Sequence, residues 1–457
     1  MESWECSERS CRILTFIREG AVAKKRIVVT GMGIVSCLGN DPDVFYQRLL
    51  QGESGISPVT TFPCDDLPSR IGGFVRDFDP GELIEKKQAR RVDRFIAFAV
   101  WAGKKALLSA GLPLTAEGID HTRAGVIIGS GVGGMSTFYD NAKICIEKGP
   151  SRVSPFLIPF ILTDMASALL AEDLGFMGPN YSLSTACATS NYSIIAAAQH
   201  IARGETDLMI CGGTEAPLAP IGLAGFCAMK ALSERNDAPQ KASRPFDKGR
   251  DGFVMAEGCG VIVLESLEAA QRRGAPILAE YLGGGVSCDA YHMTAPRPDG
   301  LGVALCIDRA LKDASVKPEQ VTYINAHATS TIPGDMSEVR ALERIFLKPE
   351  AVIINATKSM VGHSLGASGG IEAIATIQAI RSGYVHPTIN LDDPEELAFD
   401  LPKVKKKVDI ECAISNSFGF GGHNATVVFA PFQSNRSRDI ILETAVGSGQ
   451  KAQSFEP

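Results

Sequence analysis

The sequence predicts a mostly parallel, layered α/β fold, and three observations carry that expectation. Short apolar runs rich in β-branched residues recur along the chain, helical patterns lie between them, and the second half echoes the first. The first run, Arg26 to Thr30 in KRIVVTGMGIVSCLG, ends in a glycine-rich turn as a strand does. Further strands follow in AGVIIGSGVGG, DLMICGGT, GCGVIVLESL, VTYINAHATS, AVIINATKS and DIECAISNSFGFGGHNATVVFA. Between them, RFIAFAVWAGKKALLSAGL, NYSIIAAAQHIARG, LGVALCIDRALKDASV, DMSEVRALERIF and GGIEAIATIQAIRSG return apolar residues at three and four, the helical spacing.

The echo pairs GVIIGSGVGG to STACATSN in the first half with TYINAHATST to TKSMVGHSLGASGG in the second. In each, a strand ends in small residues and a helix follows. Two such halves face to face would gather their strand ends around a shared crevice, where ligands bind. The expected organisation is a leader over 1–25, a first half over 26–275, a second half over 276–433 and a mobile tail over 434–457.

Composition narrows the function. A chain of 457 residues, 45% hydrophobic and 21% charged, buries a large core and is too apolar for disorder. Its net charge of -7 argues against a nucleic-acid binder, which needs a basic face. The twelve cysteines form no C-x-x-C pair and no zinc spacing with histidine, so no metal site is expected and most thiols read as buried and reduced. No apolar run approaches the roughly 20 residues of a membrane helix. The leader, with four glutamates, has neither a signal-peptide core nor the acid-poor character of a transit peptide.

Chemistry concentrates in a few segments. Cys187, in STACATS, stands where a helix begins, and the unpaired N–H groups there favour a thiolate and can hold an oxyanion. A buried structural thiol fits the same pattern. His327 in NAHATST and His363 in KSMVGHSLGASGG follow strands in similar positions, each among glycine and hydroxyl residues, as groups that could serve the cysteine. Lys358, five residues before His363, could set charge around the imidazole or be a solvated lysine. SFGFGGHN, Ser417 to Asn424, reads either as a gate or as a plain hairpin turn. GSGVGG, Gly129 to Gly134, satisfies G-x-G-x-x-G and keeps a dinucleotide enzyme as a rival, although no acidic residue ends a strand some 20 residues later.

Taken together, STACATS, NAHATST, KSMVGH and SNSFGFGGHN resemble the β-ketoacyl-[acyl-carrier-protein] synthases, the Cys-His-His condensing enzymes of bacteria and plastids, and most of all the plant plastid members. The match runs from about Lys25 to Phe432 and includes RPFDKGRDGFVMAEG and DPDVFYQRLLQGESGI. The resemblance implies a thiolase-like fold, two βαβαβαββ halves in a five-layered αβαβα sandwich, usually a homodimer. It implies Cys187 as the acyl-accepting nucleophile, His327 and His363 as the pair driving malonyl decarboxylation, and Lys358 as support for the second histidine. It implies the N–H groups of Cys187 and Phe420 as oxyanion hole, Phe420 as gate, and Thr329 and Thr331 as holders of a phosphopantetheine arm. Lys87, Arg90, Arg91 and Lys230 would face an acidic acyl carrier protein, although a solvated helix face explains them as well. No cofactor or metal is implied, and the location implied is the plastid stroma, otherwise the cytoplasm.

Departures from the family pattern occur at Ala256, Cys259 and Ser368 and within 221–236; they are expected to touch none of Cys187, His327, His363 and Lys358, and so to bear on chain length rather than activity. Three rivals share or adjoin the chemistry. A non-catalytic chain-length-factor-like subunit would lack the nucleophile, a polyketide-type ketosynthase would differ in partner, and a thiolase would carry a second cysteine in the C-terminal glycine loop.

Overall fold

The computed structural model describes residues 25–76, 78–89 and 91–436; the expected leader and tail, apart from their innermost residues, and Arg90 lie outside the described residues. Nine strands build one sheet: β1 (Ile27–Val35), β2 (Ala124–Gly129), β3 (Leu208–Glu215), β4 (Gly258–Ser266), β5 (Ala279–Cys288), β6 (Tyr323–Asn325), β7 (Ile353–Asn355), β8 (Ala413–Gly419) and β9 (His423–Ala430). Their spatial order is β2-β3-β4-β1-β5-β9-β8-β6-β7. The helices that matter to the site are α1 (Arg94–Ser109), α2 (Met165–Leu174), α3 (Thr189–Ala202), α4 (Leu301–Ala314), α5 (Ile332–Ile345) and α6 (Ser368–Ser382).

The halves repeat one plan. In the second, β5, α4, β6, α5, β7, α6, β8 and β9 follow in sequence as βαβαβαββ. In the first, β1, α1, β2, α2, α3, β3 and β4 do the same, with the third strand reduced to a single parallel bridge between Asn180 and Val126. The expected mostly parallel sheet is not found. Only β2 with β3, β6 with β8 and β6 with β7 run parallel, and the other five pairings are antiparallel. The connections explain this: β8 and β9 are joined by the three-residue turn Phe420–Gly422, too short for a parallel crossover.

Why the strands read as continuous apolar runs is visible in their burial, because both faces are covered. Along β2 and β3, Ile127, Met209 and Cys211 enter a central core, while Val126, Ile128, Leu208 and Ile210 enter an outer one with α1 and α2. Along β8 and β9, Ala413, Val427 and Phe429 join the central core, while Ile414 and Val428 face outward onto α4 and α5. Helices α3 and α6 lie in that central core between the halves, contributing Ile194, Ile195 and Ile201 and Ile371, Ile374 and Ile377. Five layers result: helices, strands, helices, strands, helices. Each buried isoleucine contributes roughly 2 kcal/mol of hydrophobic stabilisation. Among the described residues no helix is long and apolar enough to cross a membrane.

Close packing of α6 on β4 depends on paired glycines. A Cβ added at Gly260 would stand 2.2 Å from the Gly370 carbonyl carbon and the Ile371 nitrogen. Gly260→Val is therefore expected to destabilise the protein by about 3 kcal/mol, read as a lowered urea midpoint. Gly225→Ala, where an added Cβ meets nothing within 4 Å, is expected to shift stability by less than about 1 kcal/mol.

Candidate active site

In each half the third βα unit enters its helix through the same turn. The 3₁₀ turns Ala186–Ala188 and Leu365–Ala367 lead into α3 and α6, and both open on a non-glycine residue in the left-handed region, Ala186 at φ 50° and Leu365 at φ 46°. Such a residue costs of order 1 kcal/mol and persists where the surroundings enforce it. In the first half the turn is closed by Thr185 N–H donating to Thr189 Oγ1 at 2.9 Å, and it carries Cys187. In the second, the residue that matters precedes the turn: His363, whose N–H donates to Val254 O at 2.7 Å while its carbonyl accepts from Ala256 N–H at 2.9 Å. The segment 254–256 thus clamps the histidine backbone from both sides.

The two turns meet. Cys187 Sγ lies 2.9 Å from His363 Nε2, and His363 Nδ1 lies 2.9 Å from Ser368 Oγ. His327 stands beside them, its ring centroid 5.4 Å from that of His363 and nearly perpendicular to it. The backbone of His327 is held by α5: its N–H and that of Ala328 donate to the Glu338 carboxylate at 3.0 and 2.8 Å. Phe418 and Phe253 wall the two imidazoles, one ring against each. Lys358 lies behind this face, fully buried, and pairs with the equally buried Glu372 of α6.

The glycine-rich turn also reaches the cysteine. A side chain at Gly419 would collide with Thr185 O and Cys187 N, so β8 ends directly against the Cys187 turn. The backbone N–H groups of Phe420 and Cys187 lie close enough to the Cys187 sulfur to favour its thiolate.

Electrostatics correct one expectation. Burial pushes the Cys187 thiol up to about 12; the Lys358 ammonium and the two N–H groups oppose this, and the Glu215 carboxylate adds to it. The loss of water outweighs the helix start, so the thiol is not ionised at rest and must pass its proton to a base. Burial first, and Lys358 second, hold both His327 and His363 well below the ordinary imidazole value, so both are neutral at pH 7.

A cavity of about 560 Å³ opens onto this cluster. Cys187, His327, His363, Phe420, Thr329, Thr331 and Lys230 all line it, and Thr329 Oγ1 and Thr331 Oγ1 lie 3.0 Å apart on its wall. The sequence-predicted site residues that share the cavity thus come from both halves. Lys87 and Arg91 are exposed outside its lining. Arg94, three residues beyond Arg91, is committed to Glu257.

A rival reading and an expectation from sequence both fail here. GSGVGG does not offer its N–H groups to a phosphate, because Gly131 and Val132 donate to the Glu215 carboxylate at 2.8 and 3.1 Å. The departures do touch the site: Ser368 through its hydroxyl, and Ala256 through its backbone N–H, both contact His363. Glu215, Glu338 and Glu372 were not singled out by sequence reasoning. Their signal was there in Glu372, a lone carboxylate in the apolar helix GGIEAIATI. Among the described residues no three histidine, cysteine or carboxylate side chains are grouped to hold a metal.

This fold and this pairing of cysteine with two imidazoles define an acyl-transferring condensing enzyme of the thiolase-like class. Residues 24–270 match the family described as beta-ketoacyl synthase, N-terminal domain, and residues 278–392 its C-terminal domain. The chain belongs to the beta-ketoacyl synthase family. It is 58% identical over 413 residues to the Arabidopsis thaliana protein named 3-oxoacyl-[acyl-carrier-protein] synthase I, chloroplastic, covering 90% of this chain and 87% of that one. It is 51% identical to synthase II, chloroplastic, of the same plant, over 92% of this chain and 80% of that protein. Among solved structures, the ishigamide ketosynthase/chain length factor superposes with a TM-score of 0.84 at 33% identity, over 90% of this chain and all of that one. A type II polyketide ketosynthase solved in complex with its acyl-carrier protein gives 0.82 at 34%, with the same coverage.

Two predictions follow from the buried charges. Glu372→Gln strands the Lys358 ammonium without a counter-charge and is expected to cost about 3–5 kcal/mol, measured by urea unfolding. His386, fully buried and pushed down to about 4 by loss of water, is neutral in the fold but takes up a proton near 6.5 when unfolded. Stability is therefore expected to fall as pH drops from about 6.5 toward 4, by about 3 kcal/mol from this residue alone, and His327 and His363 add to the loss. Urea midpoints across that range check the sign.

Proposed function

We propose that this chain elongates an acyl chain held on Cys187, by decarboxylative condensation with a malonyl group, both delivered as thioesters of an acyl carrier protein. The observation that carries the reading is the 2.9 Å contact of Cys187 Sγ with His363 Nε2. In the first step the thiol proton passes to His363 Nε2 and on to the departing pantetheine sulfur, while sulfur attacks the acyl carbonyl. The N–H groups of Cys187 and Phe420 hold the oxyanion. In the second, the malonyl C–C bond breaks to release carbon dioxide, and N–H donors on His327 and His363 stabilise the enolate oxygen. The enolate carbon then attacks the Cys187 thioester, and the cysteine leaves as a thiolate that takes a proton from solvent, giving the 3-oxoacyl thioester.

Neutral imidazoles suit this work, since each can present one N–H while neither competes as a cation for the malonyl carboxylate. Lys358, paired with Glu372, sets the positive potential behind them. Thr329 and Thr331, adjacent on the cavity wall, suit the amide groups of a phosphopantetheine arm. The exposed Lys230 at the cavity, with Lys87 and Arg91 on the surface, suits an acidic carrier. No step calls for a metal or redox cofactor. A fatty-acid role is favoured over a polyketide one by 58% identity to the plant synthase against 34% to the polyketide ketosynthase. The same naming of relatives as chloroplastic supports a plastid location. A homodimer is supported by the exposed apolar residues Phe138, Ile146, Phe156, Ile158 and Leu162, gathered within 25 residues of chain.

Incubated with a medium-chain acyl carrier protein, the wild type is expected to gain the mass of one acyl group and Cys187→Ala none. Malonyl carrier protein should then discharge it with release of carbon dioxide. A wild type that takes up no acyl group at any chain length would overturn the reading in favour of an inactive partner subunit.

A further inference from the structure

We propose that Ser368 is a positioning residue for His363, holding the imidazole onto Cys187 through a hydroxyl that satisfies Nδ1 in either tautomer. The inference rests on the reading of Cys187 and His363 as a working pair. Ser368 is the first residue of α6 and almost wholly buried, and its Oγ stands 2.9 Å from Nδ1 of the imidazole whose Nε2 stands 2.9 Å from the Cys187 sulfur. Sulfur, imidazole and hydroxyl thus form a three-member chain.

The repeated turn shows that this hydroxyl is not there to close the turn. Its counterpart at the start of α3 is Thr189, whose Oγ1 accepts from Thr185 N–H and serves only its own backbone. At the start of α6 the hydroxyl bonds His363 instead. The same structural position is used for folding in one half and for the site in the other.

The choice of a hydroxyl has a chemical consequence. A carboxylate or a carbonyl can only accept, and would lock Nδ1 as N–H; a hydroxyl can donate or accept. When Nε2 must receive the Cys187 proton, Nδ1 carries hydrogen and Oγ accepts it. When Nε2 must donate to an enolate oxygen, Nδ1 is bare and Oγ–H donates to it. The two steps ask opposite things of one nitrogen, and Ser368 leaves the other nitrogen bonded in both. While the proton rests on Nε2 the imidazole is charged, and its Nδ1–H bond to Oγ is then at its strongest.

The test reads the pair without the acyl reaction. Cys187 is alkylated with iodoacetamide across pH in the full chain, and the labelled thiol is identified by peptide mass. Ser368→Ala is expected to slow labelling at neutral pH by about threefold to tenfold and to displace the rate profile to higher pH, because the thiolate–imidazolium pair loses its acceptor. Ser368→Thr, which keeps the hydroxyl, is expected to return both toward wild type. Labelling of Ser368→Ala at the wild-type rate with an unmoved profile would overturn the proposal. So would a Thr variant with wild-type melting temperature that behaves as Ala does. A purely structural serine would alter melting temperature and leave the Cys187 profile in place. If the alkylation result is as expected while wild type forms no acyl adduct, the positioning role stands and the condensation reading falls.

Discussion

Exclusion of water from the layer between the two halves is the constraint on which the site depends. In and around it lie a lysine, three carboxylates, two imidazoles and a thiol, each less than a tenth exposed. Burial alone would neutralise every one of them, and it does so for Cys187, His327 and His363. Lys358 stays compensated because Glu372 faces it from α6, and Glu338 is satisfied by two backbone N–H groups and Asn416. A single ammonium so held acts over short distance in a low dielectric, and it lowers both histidines while opposing the rise of the thiol. The reactive groups are therefore tuned by one ion pair that need not touch a substrate.

Duplication supplies the geometry. The same left-handed turn before the same central helix occurs twice, and the halves meet so that Cys187 of one stands against His363 of the other. Neither half holds the pair alone. The glycines at Gly260 and Gly370 let β4 and α6 approach to backbone contact, and Gly419 lets the β8–β9 hairpin end against the cysteine turn. Small residues that look permissive in the sequence are in fact what brings the chemistry within hydrogen-bond distance.

Much of this was legible in advance, and the misses share a cause. Strand and helix segments were readable because both faces of each strand are buried, which writes continuous apolar runs, and because the helices keep their spacing of three and four. Cys187, His327 and His363 stood out because small and hydroxyl residues surround them in segments that end strands. Strand direction was not readable, since a run of apolar residues is the same forwards and backwards and only the connection decides. The state of the Cys187 thiol was misjudged because a helix start is local and visible, whereas desolvation comes from residues as separate in the chain as Phe74, Leu218 and Leu365.

By itself the sequence determined the layered α/β class, the twofold internal echo, and a nucleophile and two imidazoles in turns that could face a common crevice. Only the tertiary structure decided that Glu215 occupies the glycine loop, that Lys358 is paired with Glu372, and that Ser368 and Ala256 touch His363. Patterns of three, four and two residues are set by the geometry of a single helix or strand. A contact between Cys187 and His363, 176 residues apart, exists only once the strands of both halves and the helices between them have closed on one core.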